Sequence, residues 1–543
     1  MDRTRTRRSE QRDLDCVVVG AGPAGLQLSH HLAAAGIDVV LLESAPRVGS
    51  FFVQYPRNRQ LISFNKRTST SSDFETNLRW DWNSLLSDDQ HLPFLEYSDR
   101  LYPLADELLH YLDDYAKAHE IPVHLNTRVI RIERTADGTF LVRTDDIVYR
   151  SRYVVMTTGV GRPHVPDIPG IELAEGYESV ALSKQSFAGK RVLVIGKGNS
   201  AIEVCDDAVE SAAIVHIASP SSVRLAHRTR HAGGVRVHTA RVLDLYQLKT
   251  LHSILDCTVE RIDRVGPEYR VEVAYSHADG ERDVLCYDRV IRCAGFDFDD
   301  SVFDPGCTPQ LSHGGRLPAM TATWESTNVP DLFFAGTLMQ ARDFRGAGSA
   351  FINGFRYNIR TLSKLLAQRY HSKAFPVQHE SADPAALADL LTRRASTSSA
   401  LWIQFNHLCD VAIPRVGGAG ADIYPEWPMQ DLDRAFGRNA VYYTLHFQWG
   451  RLDGDPYAVP RHPAADQADS SVFLHPVVRR YAGAHMVGEH HLLEDLTGVY
   501  HPDAVTNTVY SHNGVPAADY HRREHVEPLR SFLAAAGQRC ESP

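Results

Sequence analysis

Residues 192–204 read VLVIGKGNSAIEV, and residues 17–25 read VVVGAGPAG. Each is a short apolar run that breaks at Gly-x-Gly and passes into a helical pattern. Such a run reads as a buried parallel strand, a tight turn and a helix N-terminus. The free N–H groups and the dipole of that terminus receive phosphate oxygens. One such unit is a modest signal. Two of them in one chain predict an α/β fold with two dinucleotide-binding, Rossmann-like domains.

The first unit is complete. Residues 16–19 form the strand. Gly20 allows the turn, Gly22 lets the backbone approach a diphosphate, and Gly25 lets the helix pack closely on the strand, with Pro23 and Ala24 between them. A second strand, 37–42, ends at Glu43, 18 residues after Gly25, with Ser44 following. A carboxylate there accepts hydrogen bonds from ribose hydroxyls and repels a 2′-phosphate, which suits FAD or NAD.

The second unit differs. After Gly196 and Gly198 the helix opens with Asn199 and Ser200, and Ala201 replaces the third glycine. The next strand, 213–218, ends at Ser219 with no acid, and Arg224, His227, Arg228 and Arg230 follow. Serine and arginine side chains hold a 2′-phosphate by charge-assisted hydrogen bonds, so this cradle reads as one for NADPH. A solvated basic turn is the other reading of 224–230. Together the cradles describe a flavin oxidoreductase that keeps FAD and draws hydride from NADPH.

Two strand-to-turn segments, YVVMTTG (153–159, ending Thr158-Gly159) and DRVIRCAGF (288–296, with Gly295), mark crossings between the nucleotide domains. A third, DLFFAGT (331–337), ends in Gly336-Thr337 and precedes a helical pattern from residue 348. A helix placed there points its N-terminus at the flavin pyrimidine. The expected organisation is a disordered basic leader (1–14), an FAD domain (15–165 and 285–375), an inserted NADPH domain (166–284) and a C-terminal α+β extension (376–543). The extension is expected to cap the active site or to form a homodimer contact.

Composition excludes other classes. The net charge is −10 and the pI about 6.2, against nucleic-acid binding. No apolar run reaches the ~18 residues of a transmembrane helix. The eight cysteines include no CxxC pair, which predicts reduced thiols, a cytoplasmic setting and no redox dithiol. Eight of the 27 histidines fall between His475 and His525, but without metal-ligand spacing, so no metal site is expected.

The order GAGPAG, FAGKRVLVIGKGNSA, CAGF and LFFAGT resembles the flavin-containing monooxygenases with their N-hydroxylating and Baeyer–Villiger relatives. YPRNRQLISFNKR (55–67), NLRWDWNSLL (77–86), AEGYESV (174–180) and LDLYQLK (243–249) resemble more closely a lumenal branch of FAD-dependent oxidoreductases. Its fold and cofactors carry over. Its compartment does not, because no signal peptide or retention tail is read here. The resemblance implies an NADPH-dependent monooxygenase that forms a C4a-(hydro)peroxyflavin with dioxygen. It would then oxygenate a small metabolite by N- or S-oxidation or carbonyl insertion. By position, Asn65 resembles the asparagine beside the flavin in that family, with Lys66 next to it. Arg57, Arg59 and Arg67 are candidates for an anionic substrate, with a solvated loop as the alternative. One departure stands out: Tyr177 occupies the histidine position of the family fingerprint, and Ala181 its later aromatic. Rival readings are a flavin reductase or oxidase without a dithiol, a non-enzymatic flavoprotein that only binds, and a flavin halogenase using Lys66.

Overall fold

The computed structural model describes residues 10–69, 71–87, 92–221, 242, 250–344, 346–415, 420–451, 464–495, 497–504 and 514–538. Three sheets organise them. The first runs in the order Val123–His124, Val39–Leu42, Glu10–Val19, Ile147–Met156, Phe140–Arg143, Arg131–Arg134, and Leu332–Phe334 adds to Ile147–Met156. Its central strands are parallel, and their stretches 16–19, 39–42, 153–156 and 332–334 are buried, so these read as unbroken apolar runs rather than alternating ones.

The first strand is longer than its apolar part. It begins at Glu10, inside the segment expected to be a leader, because residues 10–14 pair with 147–151. The helix expected from residue 348 begins instead at Ile352 and runs to His371. Asp343 accepts the Ser349 N–H at 3.2 Å, which folds the intervening residues into a turn.

The second sheet runs in the order Arg282–Tyr287, Glu268–Tyr275, Ser253–Val265, Ile214–Ser219, Arg191–Ile195, Arg289–Arg292, Glu175–Gly176. It extends past residue 284, the end expected for the inserted unit. Arg289–Arg292 pairs in parallel with the cradle strand Arg191–Ile195, so the chain returns to the first unit only afterwards. The short pairing of Phe296–Asp297 with Arg162–Pro163 joins the two crossings.

The third sheet is antiparallel, in the order Gln378–Glu380, Ala421–Pro428, Leu408–Pro414, Tyr442–Trp449, Leu474–Ala482, His485–His491. The helices Pro384–Thr397 and Glu527–Gln538 cover one face, closing a core around Leu391, Leu445, Phe447 and Leu529. A buried cation of the first unit, Arg79, ties this region to it. The Arg79 guanidinium donates to the carbonyls of Ala395, Ser398 and Gly498 and stacks over Trp402 at 4.7 Å. Arg356, wholly buried, donates to the carbonyls of Leu78 and Ser84 at 2.7 and 2.8 Å. Residues 78–84 are thereby clamped from both sides. Among the described residues, no helix is long and apolar enough to cross a membrane.

Candidate active site between two nucleotide cradles

The glycines of the first cradle divide their duties. Gly20 has φ +106°, in the left-handed region that favours glycine. At Gly25 an added methyl would overlap the Gly20 carbonyl oxygen and lie 2.9 Å from Thr157 Oγ1, so helix and strand approach too closely for a side chain. Gly22 is the opposite case. Nothing lies within 4 Å of where its Cβ would be, and it caps the helix Pro23–Ala34 with no side chain on the first-turn N–H groups. That open, donor-rich space fits a diphosphate. Glu43 closes the cradle. It is buried, and its carboxylate accepts the N–H groups of Ala21 and Ala45 at 2.9 Å, and the hydroxyl of Ser50 at 3.2 Å. Ser44 is exposed and donates to the same carboxylate at 3.4 Å.

The second cradle repeats the plan with one relaxation. At Gly196 (φ +119°) a methyl would overlap the Cys293 carbonyl, and at Gly198, which caps the helix Asn199–Ala208, nothing lies within 4 Å. Ala201 is fully buried in the third glycine's place, so this helix stands far enough from its strand to admit a methyl. Ser219 ends its strand as expected. Arg224 and Arg228, with their neighbours, lie outside the described residues.

Between the cradles is a cavity of about 360 Å³. Gly22, Pro23, Ala24, Thr158, Gly159 and Thr337 border it on the first unit's side, and Asn199 and Ser200 on the second's. Gly336 abuts Ala24, its absent Cβ 2.6 Å from that methyl. Gly295 lies behind the cavity under the Arg316 guanidinium, and its neighbour Phe296 faces in. A larger, shallower polar cleft of about 420 Å³ lies by Asp13, Arg134 and Arg150. It sits at the opposite end of the strands from the cradles, whereas parallel sheets bind ligands at their carboxyl ends.

The inner wall is aromatic. Tyr55 stacks on Tyr177 with centroids 5.6 Å apart, and Phe51, Trp82, Phe296 and Phe351 complete it. Among the described residues, Glu203 is the only charged one in the lining. Its carboxylate accepts the Tyr177 hydroxyl at 2.6 Å, while the Tyr177 oxygen accepts the Arg57 N–H at 3.1 Å. Burial, and then the neighbouring Glu203, push the Tyr177 hydroxyl pKa well above its ordinary value. Asn83 is fully buried and borders the cavity; its Oδ1 accepts the Ser63 hydroxyl at 2.6 Å, and its Nδ2 has no partner among the described residues. An unpartnered buried amide in such a place is a donor waiting for a ligand acceptor.

The basic segment 57–67 takes a different position from the one expected. Asn65 is buried but outside the lining, its Nδ2 turned to the Ser98 carbonyl at 3.3 Å. Lys66 is exposed, over the Trp80 ring at 5.7 Å, and Arg67 pairs with Asp99 at the surface. Arg57 donates to the Val180 carbonyl at 3.0 Å. Arg59 donates to the Phe52 and Val53 carbonyls and to Asp106 at 2.7 Å. These cations satisfy protein acceptors, and none of them borders the cavity. Asn83, Tyr177 and Glu203 stand there instead. Glu203 had a legible signal: it follows Asn199 by four residues on one helix and so shares its face.

The residues present fit FAD in the first cradle and a nicotinamide dinucleotide in the second. Among the described residues, no cysteine lines the cavity. Cys205 and Cys293, behind the second cradle, are buried, and burial pushes both thiol pKa values up. Among the described residues, no cluster of three histidine, cysteine or acidic side chains could hold a metal ion.

The chain matches the family described as pyridine nucleotide-disulphide oxidoreductase over residues 17–336. It is 34% identical over 508 residues to FAD-dependent oxidoreductase domain-containing protein 2 of Mus musculus, covering 86% of this chain and 76% of that protein. It is 31% identical to indole-3-pyruvate monooxygenase YUCCA1 of Oryza sativa subsp. japonica over 38% of this chain and 47% of that one. Among solved structures, a flavin-containing monooxygenase from Stenotrophomonas maltophilia superposes with a TM-score of 0.50 at 20% identity, covering 66% of this chain and 98% of that one, a likeness of fold.

Proposed function

This chain belongs to the pyridine nucleotide-disulphide oxidoreductase family, with FAD and NADPH as its cofactors, and from that premise we propose that it is an NADPH-dependent monooxygenase of small molecules. The observation that carries the reading is the wall of the cavity: among the described residues it is aromatic and free of cysteine, with an unpartnered amide donor at Asn83. A family member that reduces disulfides through its own dithiol would need a cysteine pair there. Here the acceptor of electrons must enter from outside.

Bound FAD, reduced by NADPH, supplies two electrons to dioxygen, so that one oxygen atom goes to the substrate and the other to water. The chain's residues provide the surroundings. Gly22 and Gly198 open the two helix N-termini to diphosphates. Asn83 Nδ2 is free to donate to a bound ligand, in the role the family resemblance implied for Asn65. Tyr55, Trp82, Phe296 and Phe351 exclude water from the reacting region. Tyr177 holds the Glu203 carboxylate in a fixed rotamer beside the second cradle. The wall favours an apolar or aromatic substrate, since it is aromatic and no cation lines it among the described residues. In this reading Lys66, outside the cavity, takes no part in chemistry. The relation to a plant indole-3-pyruvate monooxygenase supports oxygenation over plain electron transfer.

The test is anaerobic reduction with NADPH followed by rapid mixing with oxygenated buffer. We expect a transient flavin spectrum distinct from the oxidised and reduced forms, and longer-lived with NADP⁺ present. Immediate reoxidation with stoichiometric hydrogen peroxide, whatever apolar substrate is added, would point to an oxidase. Failure of NADPH to reduce the flavin would overturn the reading.

A further inference from the structure

Lys197 lies between the two glycines of the second cradle. Its side chain is only 10% exposed and reaches across the carboxyl end of the strand Ile214–Ser219 to the first residues of Ser253–Val265, which pair with it. Its ammonium donates to Asp256 Oδ1 at 2.8 Å and to the Ser221 carbonyl. Asp256 is the register partner of Ser219, the residue that ends the strand Ile214–Ser219. In a dinucleotide fold that strand end faces the 2′ position of the adenosine ribose. The ammonium therefore sits beside the position that tells NADPH from NADH. The strand carries no acid at its own end, but Asp256 on the neighbouring strand places one next to it. A bare carboxylate there would repel a 2′-phosphate, and Lys197 cancels its charge.

We propose that Lys197 is a cation that meets the 2′-phosphate of NADPH, with Asp256 as its counter-ion when no phosphate is bound. The proposal rests on the reading of the second cradle as a nicotinamide dinucleotide site. The ammonium has three donors on a flexible stem, so it can turn from Asp256 to a phosphate oxygen without moving the loop. With the 2′-hydroxyl of NADH, Asp256 keeps its partner and no such contact forms. The pair then sets coenzyme choice. A pair that only strapped the glycine loop in place would support both coenzymes equally, and this difference makes the proposal testable.

The experiment titrates 2′,5′-ADP and 5′-AMP by calorimetry into the FAD-loaded protein and its Lys197→Met, Lys197→Arg and Asp256→Asn variants. These fragments differ at the 2′-phosphate and need no turnover. Wild type should prefer 2′,5′-ADP. Lys197→Met should weaken 2′,5′-ADP about ten- to hundredfold, as expected for one charge-assisted hydrogen bond, and 5′-AMP by less than about threefold. Lys197→Arg should retain most of the preference, and Asp256→Asn should increase it. An equal loss of both ligands in Lys197→Met, or no loss, overturns the proposal. Equal binding of the two fragments by wild type overturns it while leaving the cradle intact. Binding of neither fragment removes the cradle and the proposal together.

Discussion

Replacement of Gly22 by alanine separates binding from folding. The residue has φ −76° and ψ −176°, which alanine adopts freely, and its Cβ would meet nothing within 4 Å. The free protein should therefore keep its stability within about 0.5 kcal/mol, or gain slightly from a stiffer unfolded chain. The same methyl projects into the space left for the diphosphate. Displacing a phosphate by about 1 Å breaks N–H···O bonds at the helix N-terminus, each worth roughly 1.5–3 kcal/mol to a charged group. Two such losses amount to about 3–6 kcal/mol, or roughly 10²- to 10⁴-fold in FAD affinity. Two assays read this out: fluorescence titration of the apoprotein with FAD, and thermal unfolding of the apoprotein by circular dichroism. The reasoning fails if Gly22→Ala binds FAD within about fivefold of wild type, or if its apoprotein melts several degrees lower. Gly25→Ala is the control. Its methyl overlaps the Gly20 carbonyl, so it should lower the apoprotein's stability by about 1–3 kcal/mol, as overpacking does.

Three further outcomes are expected. Asn83→Leu removes the unpartnered donor without emptying the site. It should raise the fraction of NADPH electrons lost as hydrogen peroxide several-fold, and an unchanged peroxide yield would rule the amide out. Arg79→Met removes the donors to three buried carbonyls and should destabilise the protein by about 2–4 kcal/mol, measured by urea unfolding. It should also weaken FAD binding, because the same clamp holds Trp82 and Asn83 against the cavity. The last outcome concerns pH. Burial holds the pKa of His407 down to about 4 and that of His446 down to about 3. Below pH ~6.5 the unfolded chain takes up protons that these buried rings refuse. Stability from each is thus present above pH ~6.5 and falls by about 1.4 kcal/mol per pH unit towards the folded pKa. His446→Asn should flatten the fall in melting temperature between pH 6.5 and 4.5; an unaltered slope would show that this ring does not contribute.

The two cradles are legible from contiguous residues because their signal is local. A strand, a turn that needs glycine and a helix start are written within about ten positions, and the physics of each is a matter of neighbouring backbone. The same locality makes Glu43 and Ser219 readable, since Glu43 directly follows and Ser219 ends the strand after its cradle.

The cavity wall is a different kind of fact. Asn83, Tyr177 and Glu203 come from segments about a hundred residues apart in part, and only the crossings between the two sheets bring them together. Asn65 and Asn83 lie in irregular chain where no helical or strand period says which side faces inward. That choice was made elsewhere, by Arg79 and Arg356 gripping residues 78–84 from the C-terminal region and the long helix. The basic run 57–67 misleads for a related reason. Its charge density is visible in sequence, but the acceptors it satisfies are Phe52 and Asp106 for Arg59, Val180 for Arg57 and Asp99 for Arg67. The sequence by itself determined two nucleotide cradles and their class, because phosphate recognition uses local backbone geometry. The tertiary structure alone decided which side chains face the space between them, because that depends on long-range packing and on which buried polar groups have found partners.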